Sequence, residues 1–156
     1  MTVGTHNQGF DRLIRPMDEL CAELDEHVVM QIGASAYEPR HVEFFRFTSS
    51  ERMQELTRQA STIVMHAAAG SIILALRTGK PLVLIPRLKQ YGEHIDDHQL
   101  QLATQLEKQN QAICVVAPTK ESLDVALKKA SYQKYVLAGA TQLVTALRQE
   151  LAGLTS

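Results

Sequence analysis

The sequence predicts an α/β fold, a Rossmann-like parallel sheet with helices on both faces. Apolar, β-branched runs alternate with stretches of helical spacing from one end of the chain to the other, and such alternation calls for parallel strands joined by right-handed crossovers. Small residues follow one central strand and a polar, charged loop follows the next, at the edge where open α/β sheets bind ligands.

Residues 1–3 make only a stub of a first strand, because the loop Gly4-Thr-His-Asn-Gln-Gly9 follows at once. Residues 10–23 carry Phe10, Leu13, Ile14, Met17, Leu20 and Cys21 at helical spacing, with Pro16 as an interruption that can kink the helix. Residues 27–33 read as a buried strand ending in glycine, 34–39 as the loop beyond it and 42–46 as a shorter strand. A helix over 51–60 follows, with Ser49 and Ser50 as candidate N-caps and Met53, Leu56 and Ala60 on one face.

The centre of the chain comes next. Residues 62–65 form a strand, 67–70 a loop of three alanines and a glycine, and Ser71 opens a helix that Gly79 stops before Pro81 leads into another apolar strand. A helix over 97–109 buries Leu100, Leu102, Ala103 and Leu106; a strand over 113–116, a helix over 118–130 and a last helix over 139–151 complete the pattern. Residues 1–156 are expected to form a single domain, since no repeat, linker or low-complexity tract divides them.

Composition narrows the function. A chain of 156 residues can bury roughly two thirds of its unfolded surface without a disulfide or metal staple. Sixteen basic against seventeen acidic residues give a net charge of -1 with no basic stripe, which argues against a nucleic-acid partner. Cys21 and Cys114 are isolated in apolar settings and read as reduced core thiols of a cytoplasmic protein. No run reaches the length of a membrane span and the first residues lack the pattern of a signal peptide, so a soluble chain that is not exported is expected. No G-x-G-x-x-G follows the first strand, which disfavours a nicotinamide cofactor.

A helix that starts over an Ala-Gly loop aims unpaired N–H groups and its positive dipole end at the loop, and the natural occupant is a phosphate or diphosphate. Close packing of strand on helix produces the same small-residue turn, so the turn alone does not decide. His94 and His98 lie four apart, yet a third ligand at fixed spacing is missing and no metal site is expected.

Several motifs occur together. His66-Ala-Ala-Ala-Gly-Ser71, Gly79-Lys-Pro-Leu82, Pro86-Arg-Leu-Lys89, Tyr91-Gly-Glu-His94 and Asp96-Asp-His-Gln-Leu100, preceded by Val3-Gly-Thr-His6 and Phe10-Asp-Arg-Leu13, run in order to about Val115. As a set they resemble the glycosyltransferase family 28 C-terminal domain. More narrowly, they are similar to the small sugar-nucleotide-binding subunits of two-component transferases that build exopolysaccharides and capsules, and to the catalytic subunit of the dolichol-linked N-acetylglucosaminyltransferase. The resemblance implies the C-terminal half of a GT-B fold, a UDP-sugar donor and an inverting transfer without metal or other cofactor. It also implies a lipid-linked saccharide acceptor and a membrane-anchored partner subunit that binds it and recruits this chain to the inner face of the membrane.

Taken with the resemblance, the N–H groups of Gly70, Ser71 and Ile72 and the Ser71 hydroxyl form the diphosphate cradle, with Ala69 beside them. His66 either fixes this loop or touches the ligand. His98 and Gln99 match the family's histidine-glutamine pair near the donor sugar, or cap their helix; His94 and Asp97 lie beside them. Glu93 is assigned to the ribose hydroxyls. Arg87 and Lys89 are the nearest cations for a phosphate, or else a solvated loop. Gly4, Thr5, Gln31 and Gly33 reach the cleft from the ends of the first two strands. His6 is the tentative acceptor base, with loop packing as the alternative.

Two departures limit the match: Ala68 stands where relatives have glycine, and Leu74 where several carry a ribose-binding glutamate. The last helix, with Leu143, Val144, Leu147, Leu151 and Leu154 on one side, either docks the partner or packs in the core. The rival functions are a sugar-nucleotide-binding module that regulates or scaffolds without turnover, and a sugar-nucleotide epimerase.

Overall fold

Three residues at the start of the chain join the two parts of the sheet. The structure, a computed structural model, describes residues 1–132 and Thr145. In it β1 (Val29–Gln31) pairs in parallel with β2 (Glu43–Phe45), and β3 (Ile63–His66) with β4 (Leu82–Ile85), which pairs with β5 (Ile113–Cys114). Thr2 bridges Gln31 on one side and Met65 on the other, both in parallel. The spatial order is therefore β2, β1, residues 1–3, β3, β4, β5. All strands run parallel, but the order in which the chain adds them reverses between the first residues and β3, and at such a switch point the loops diverge and leave a crevice. The expected stub is thus the central strand, held by Thr2 N–H to the Val64 carbonyl (2.9 Å) and Gln31 N–H to the Met1 carbonyl (2.9 Å).

Alternate residues of the central strands enter two separate cores, as period-two side-chain placement requires. Val64, Val83 and Ile85 pack with Phe10, Leu13, Ile14 and Met17 of α1 (Asp11–Cys21) and its approach, and with Leu123 and Ala126 of α5 (Lys120–Tyr132). Ile63, Met65, Leu82 and Leu84 face the other way, against Ile72, Ile73 and Leu76 of α3 (Ala69–Leu76) and Ala103 and Leu106 of α4 (His98–Lys108). Helices therefore cover both faces.

Local differences from the sequence expectation have local causes. α1 continues through Pro16, because the burial of Leu13, Ile14, Met17 and Leu20 outweighs one missing N–H. α2 (Ser50–Gln59) is capped by Ser49, whose hydroxyl accepts from the Arg52 N–H at 3.2 Å, and it buries no residue fully. α3 begins at Ala69, two residues before the expected Ser71, and Gly79 with φ 65° closes it through its N–H to the Leu76 carbonyl. α4 leaves Leu100 and Leu102 half-buried and buries Gln99 instead. Of the helix expected over 139–151 only Thr145, which is helical, is among the described residues; the rest lies outside them. Among the described residues no helix is long and apolar enough to cross a membrane.

Candidate functional site

The loops that follow the strands meet at one edge of the sheet, over the switch point. Residues 4–9, 67–71 and 86–97 converge there, and buried side chains fix their relation. Gln99, at the first turn of α4, spends its Oε1 on two N–H groups at once, those of Ala67 and Arg87, each at 3.1 Å. One amide oxygen thus ties the loop after β3 to the loop after β4. Among the described residues its Nε2 has no partner, so of the donor and acceptor expected to meet a sugar only the donor is left.

Arg87 corrects the expectation of a phosphate ligand or a solvated cation. It is 1% exposed, and its guanidinium donates to the carbonyls of Val3, Gln8 and Gly9, each at 3.0 Å. It also lies over the Phe10 ring at 4.6 Å from the centroid. Burial lowers its pKa, with Glu93 opposing the shift. Its role is to staple the loop after the first strand.

Glu93 also departs from its expected role. Its oxygens accept from Arg12 Nε and Nη2 at 2.9 Å each, and Oε2 accepts the Leu88 N–H at 3.0 Å. A buried carboxylate so occupied has little left for ribose hydroxyls. Arg12, not singled out in the sequence, further donates to the Pro86 and Val116 carbonyls at 2.8 and 2.7 Å and so ties the loop 86–97 and the loop after β5 to α1.

Gln31 braces the first loop and reads no ligand. Its Oε1 accepts from the Thr2 hydroxyl (2.6 Å), Val3 N–H (3.2 Å) and Gly4 N–H (3.1 Å), while its Nε2 donates to the Gly4 and Arg46 carbonyls. Gly33, with φ 54°, is required because a Cβ there would sit 2.9 Å from the Gly4 carbonyl oxygen. Gly4, with φ 78°, is required because a Cβ would meet the His66 ring at 2.6 Å. His66 therefore lies directly against the loop. Its Nδ1 is buried without a hydrogen bond. Burial, then the charge of Arg87, pull its pKa down to about 4, only partly opposed by the Thr2 backbone. The ring is a neutral, buried support for the loop.

Above this frame the surface is open. Ala68, the N-cap of α3, offers no side-chain acceptor, and the first helical N–H with a backbone partner is that of Ile72, to the Ala68 carbonyl at 3.0 Å. Ile72 thus leaves the expected cradle, and the N–H groups of Ala69, Gly70 and Ser71 are the ones a capless helix leaves for a ligand. Gly70 is exposed, and a Cβ there would meet nothing within 4 Å.

Thr5 and His6 are exposed on the first loop. The His6 ring stands 5.9 Å from that of half-buried His94, and burial, then Arg87 and His94, lower its pKa. Asp97 turns away from α4 and accepts the Lys89 N–H at 3.0 Å, leaving Lys89 on the exposed surface. Asp96 was missed in the sequence, although it stands in the Asp96-Asp-His motif. It receives the His98 N–H at 3.0 Å and lies 3.0 Å from His94 Nδ1 and 3.3 Å from His98 Nδ1. The two histidines of the weighed metal pair thus meet at a carboxylate. Among the described residues no group of three or more candidate metal ligands is present.

A family model described as glycosyltransferase family 28 C-terminal domain matches residues 1–142. The UDP-N-acetylglucosamine transferase subunit ALG13 of Mus musculus is 32% identical over 120 residues, 70% of this chain and 10% of that protein. The subunit of the same name from Candida albicans is 32% identical over 89 residues, 57% of this chain and 28% of that protein. The chain thus spans between a tenth and just over a quarter of these relatives. Among solved structures, the glycotransferase of kitacinnamycin aligns with a TM-score of 0.68 at 23% identity, over 95% of this chain and 38% of that one. The spinosyn forosaminyltransferase SpnP aligns with a TM-score of 0.61 at 16% identity, over 86% and 33%. These likenesses establish the fold as the Rossmann-like domain of a GT-B glycosyltransferase.

Proposed function

The chain belongs to the glycosyltransferase family 28 C-terminal domain family, and from that premise we propose that it is the donor-binding subunit of a UDP-sugar-dependent, inverting glycosyltransferase. The observation that carries this is the uncapped amino end of α3, with Ala69, Gly70 and Ser71 exposing N–H groups beside an open Gly70. Those groups and the helix dipole hold the diphosphate as negative charge grows on it in the transition state. They do the work that a divalent cation does elsewhere, so no metal is needed.

Gln99 Nε2 donates to a hydroxyl of the donor sugar, and Thr5, His6, His94 and His98 line the mouth at which the acceptor arrives. Deprotonation of the acceptor falls to an imidazole there, of which His6 is the one the sequence nominates. A single Rossmann-like domain supplies one wall of such a cleft. A membrane-anchored partner subunit supplies the other, bringing this cytoplasmic chain to the inner membrane face and to a lipid-linked saccharide in exopolysaccharide or capsule assembly. The similarity to the UDP-N-acetylglucosamine transferase subunit ALG13 makes UDP-N-acetylglucosamine the first donor to try.

Calorimetric titration of the full chain with UDP and a panel of UDP-sugars tests this. Binding that Ser71→Asp abolishes is the expected result, since a carboxylate at the third helical position repels the diphosphate. Unchanged affinity in that variant removes the cradle, and absence of any UDP binding removes the proposal.

A further inference from the structure

We propose that His94, oriented by Asp96, is the base that takes the acceptor proton, and that His6 instead donates a hydrogen bond at the same place. It rests on the transferase function proposed for the site, and it comes from the hydrogen bonds that choose the tautomer of each ring. An Asp96 carboxylate oxygen lies 3.0 Å from His94 Nδ1. Asp96 is ionised: the His98 N–H chiefly, then the two neighbouring imidazoles, hold its carboxyl below the usual range. A carboxylate facing an unprotonated ring nitrogen sets lone pair against lone pair, so the contact selects the Nδ1–H form. The Asp96 N–H also faces Nδ1, but at 3.4 Å, and the shorter charged contact prevails. Nε2 is then the bare nitrogen of His94, and among the described residues nothing binds it.

His6 is set the opposite way. Its Nδ1 accepts the Gln8 N–H at 3.3 Å, which occupies the lone pair and leaves the proton on Nε2. A neutral His6 of that form presents a donor. The ring centroids are 5.9 Å apart, close enough for one hydroxyl oxygen of a bound acceptor to reach about 2.8 Å from a nitrogen of each ring in the proposed complex. It receives the His6 N–H and gives its own proton to His94 Nε2. As that O–H bond breaks, the oxygen bonds to the anomeric carbon of the donor. The bond from that carbon to the diphosphate oxygen breaks, and its electron pair leaves with UDP; the His94 imidazolium then returns its proton to water. Asp96 is a positioning residue, and the other titratable or charged groups acting on the pair are His98 on α4, neutral His66 and Arg87.

Long-range proton-nitrogen spectra of the full chain with labelled histidine, bound to UDP, read the tautomers directly. His94 is expected as Nδ1–H and His6 as Nε2–H. Asp96→Ala should turn His94 to the Nε2–H form, because the residue-96 N–H then decides; Asp96→Asn keeps an acceptor and the original form. A wild-type His94 in the Nε2–H form overturns the proposal even where UDP binds normally. Transfer of labelled sugar from UDP-N-acetylglucosamine to native membranes gives the second readout. His94→Gln should lower the rate by about 10²-fold or more with UDP affinity unchanged, and His6→Gln, which keeps a donor, by less than about tenfold. A His94→Gln variant within threefold of wild type overturns the assignment, whereas a wild-type chain that neither binds UDP nor transfers sugar overturns the transferase function itself.

Discussion

Replacing Arg87 with methionine tests whether this buried cation builds the site. The guanidinium holds three backbone carbonyls at 3.0 Å and is 1% exposed, so methionine fills much of its volume and satisfies none of them. An unpaired buried acceptor costs about 1 to 3 kcal/mol. The lower figure applies to Gln8 and Gly9, whose carbonyls the loop can open to water, and taken for the buried Val3 carbonyl as well it sets a minimum total of about 3 kcal/mol. Relief of the cation's own desolvation roughly offsets the lost stacking on Phe10. Urea unfolding should therefore show Arg87→Met less stable by at least about 3 kcal/mol, out of the roughly 5 to 15 typical of a domain, with an unchanged denaturant slope. Arg87→Lys should recover less than half, because one ammonium cannot reach carbonyls arranged for a planar fork. Hydrogen exchange should quicken in residues 4–9 and leave α4 protected. A loss within about 0.5 kcal/mol, as for an ordinary surface position, would refute the staple.

Other outcomes follow from the same frame. The His66 pKa is lowered in the fold to about 4, so between that pH and about 6.5 the unfolded chain binds a proton that the folded one does not. Stability should therefore fall by about 3 kcal/mol as pH drops through this window; His66→Gln should flatten the slope, and an unaltered slope would remove His66 as its source. Gly4→Ala should destabilise by about 1 to 3 kcal/mol, and part of that should vanish in a His66→Ser background; purely additive losses would deny the contact. Gln99→Ala should weaken UDP-sugar binding more than UDP binding in calorimetry, because only Nε2 is left for the sugar, while also lowering the melting temperature through the orphaned N–H groups of Ala67 and Arg87. Equal affinity losses would end the sugar-reading role.

Much of this was legible in the chain because it is local. Helical spacing, the Ala-Gly turn and the loop motifs depend on neighbours within a few residues, and they located α1, α3, α4 and the cleft edge. The role of residues 1–3 was not legible, since three residues carry no periodicity and their place between β1 and β3 arises only when both strands pair with them. Arg87 and Glu93 look like solvent-facing charges within their own loop. What buries them are carbonyls some 80 positions earlier and Arg12, 81 positions away. The start of α3 shifted from Ser71 to Ala69 because a hydroxyl suggests a cap, whereas here the helix begins without one. Asp96 was overlooked because it stands next to Asp97 in the same motif, and only the fold of the loop shows which of the two carboxylates meets the rings of His94 and His98.

The most direct measurement is a crystal structure of the full chain with UDP. The account predicts the diphosphate at the amino end of α3, its oxygens about 2.7 to 3.2 Å from the N–H groups of Ala69, Gly70 and Ser71, with Arg87 still bound to the first loop. Nucleotide seated on another edge of the sheet, or phosphates reached only through a cation held by protein carboxylates, would contradict it.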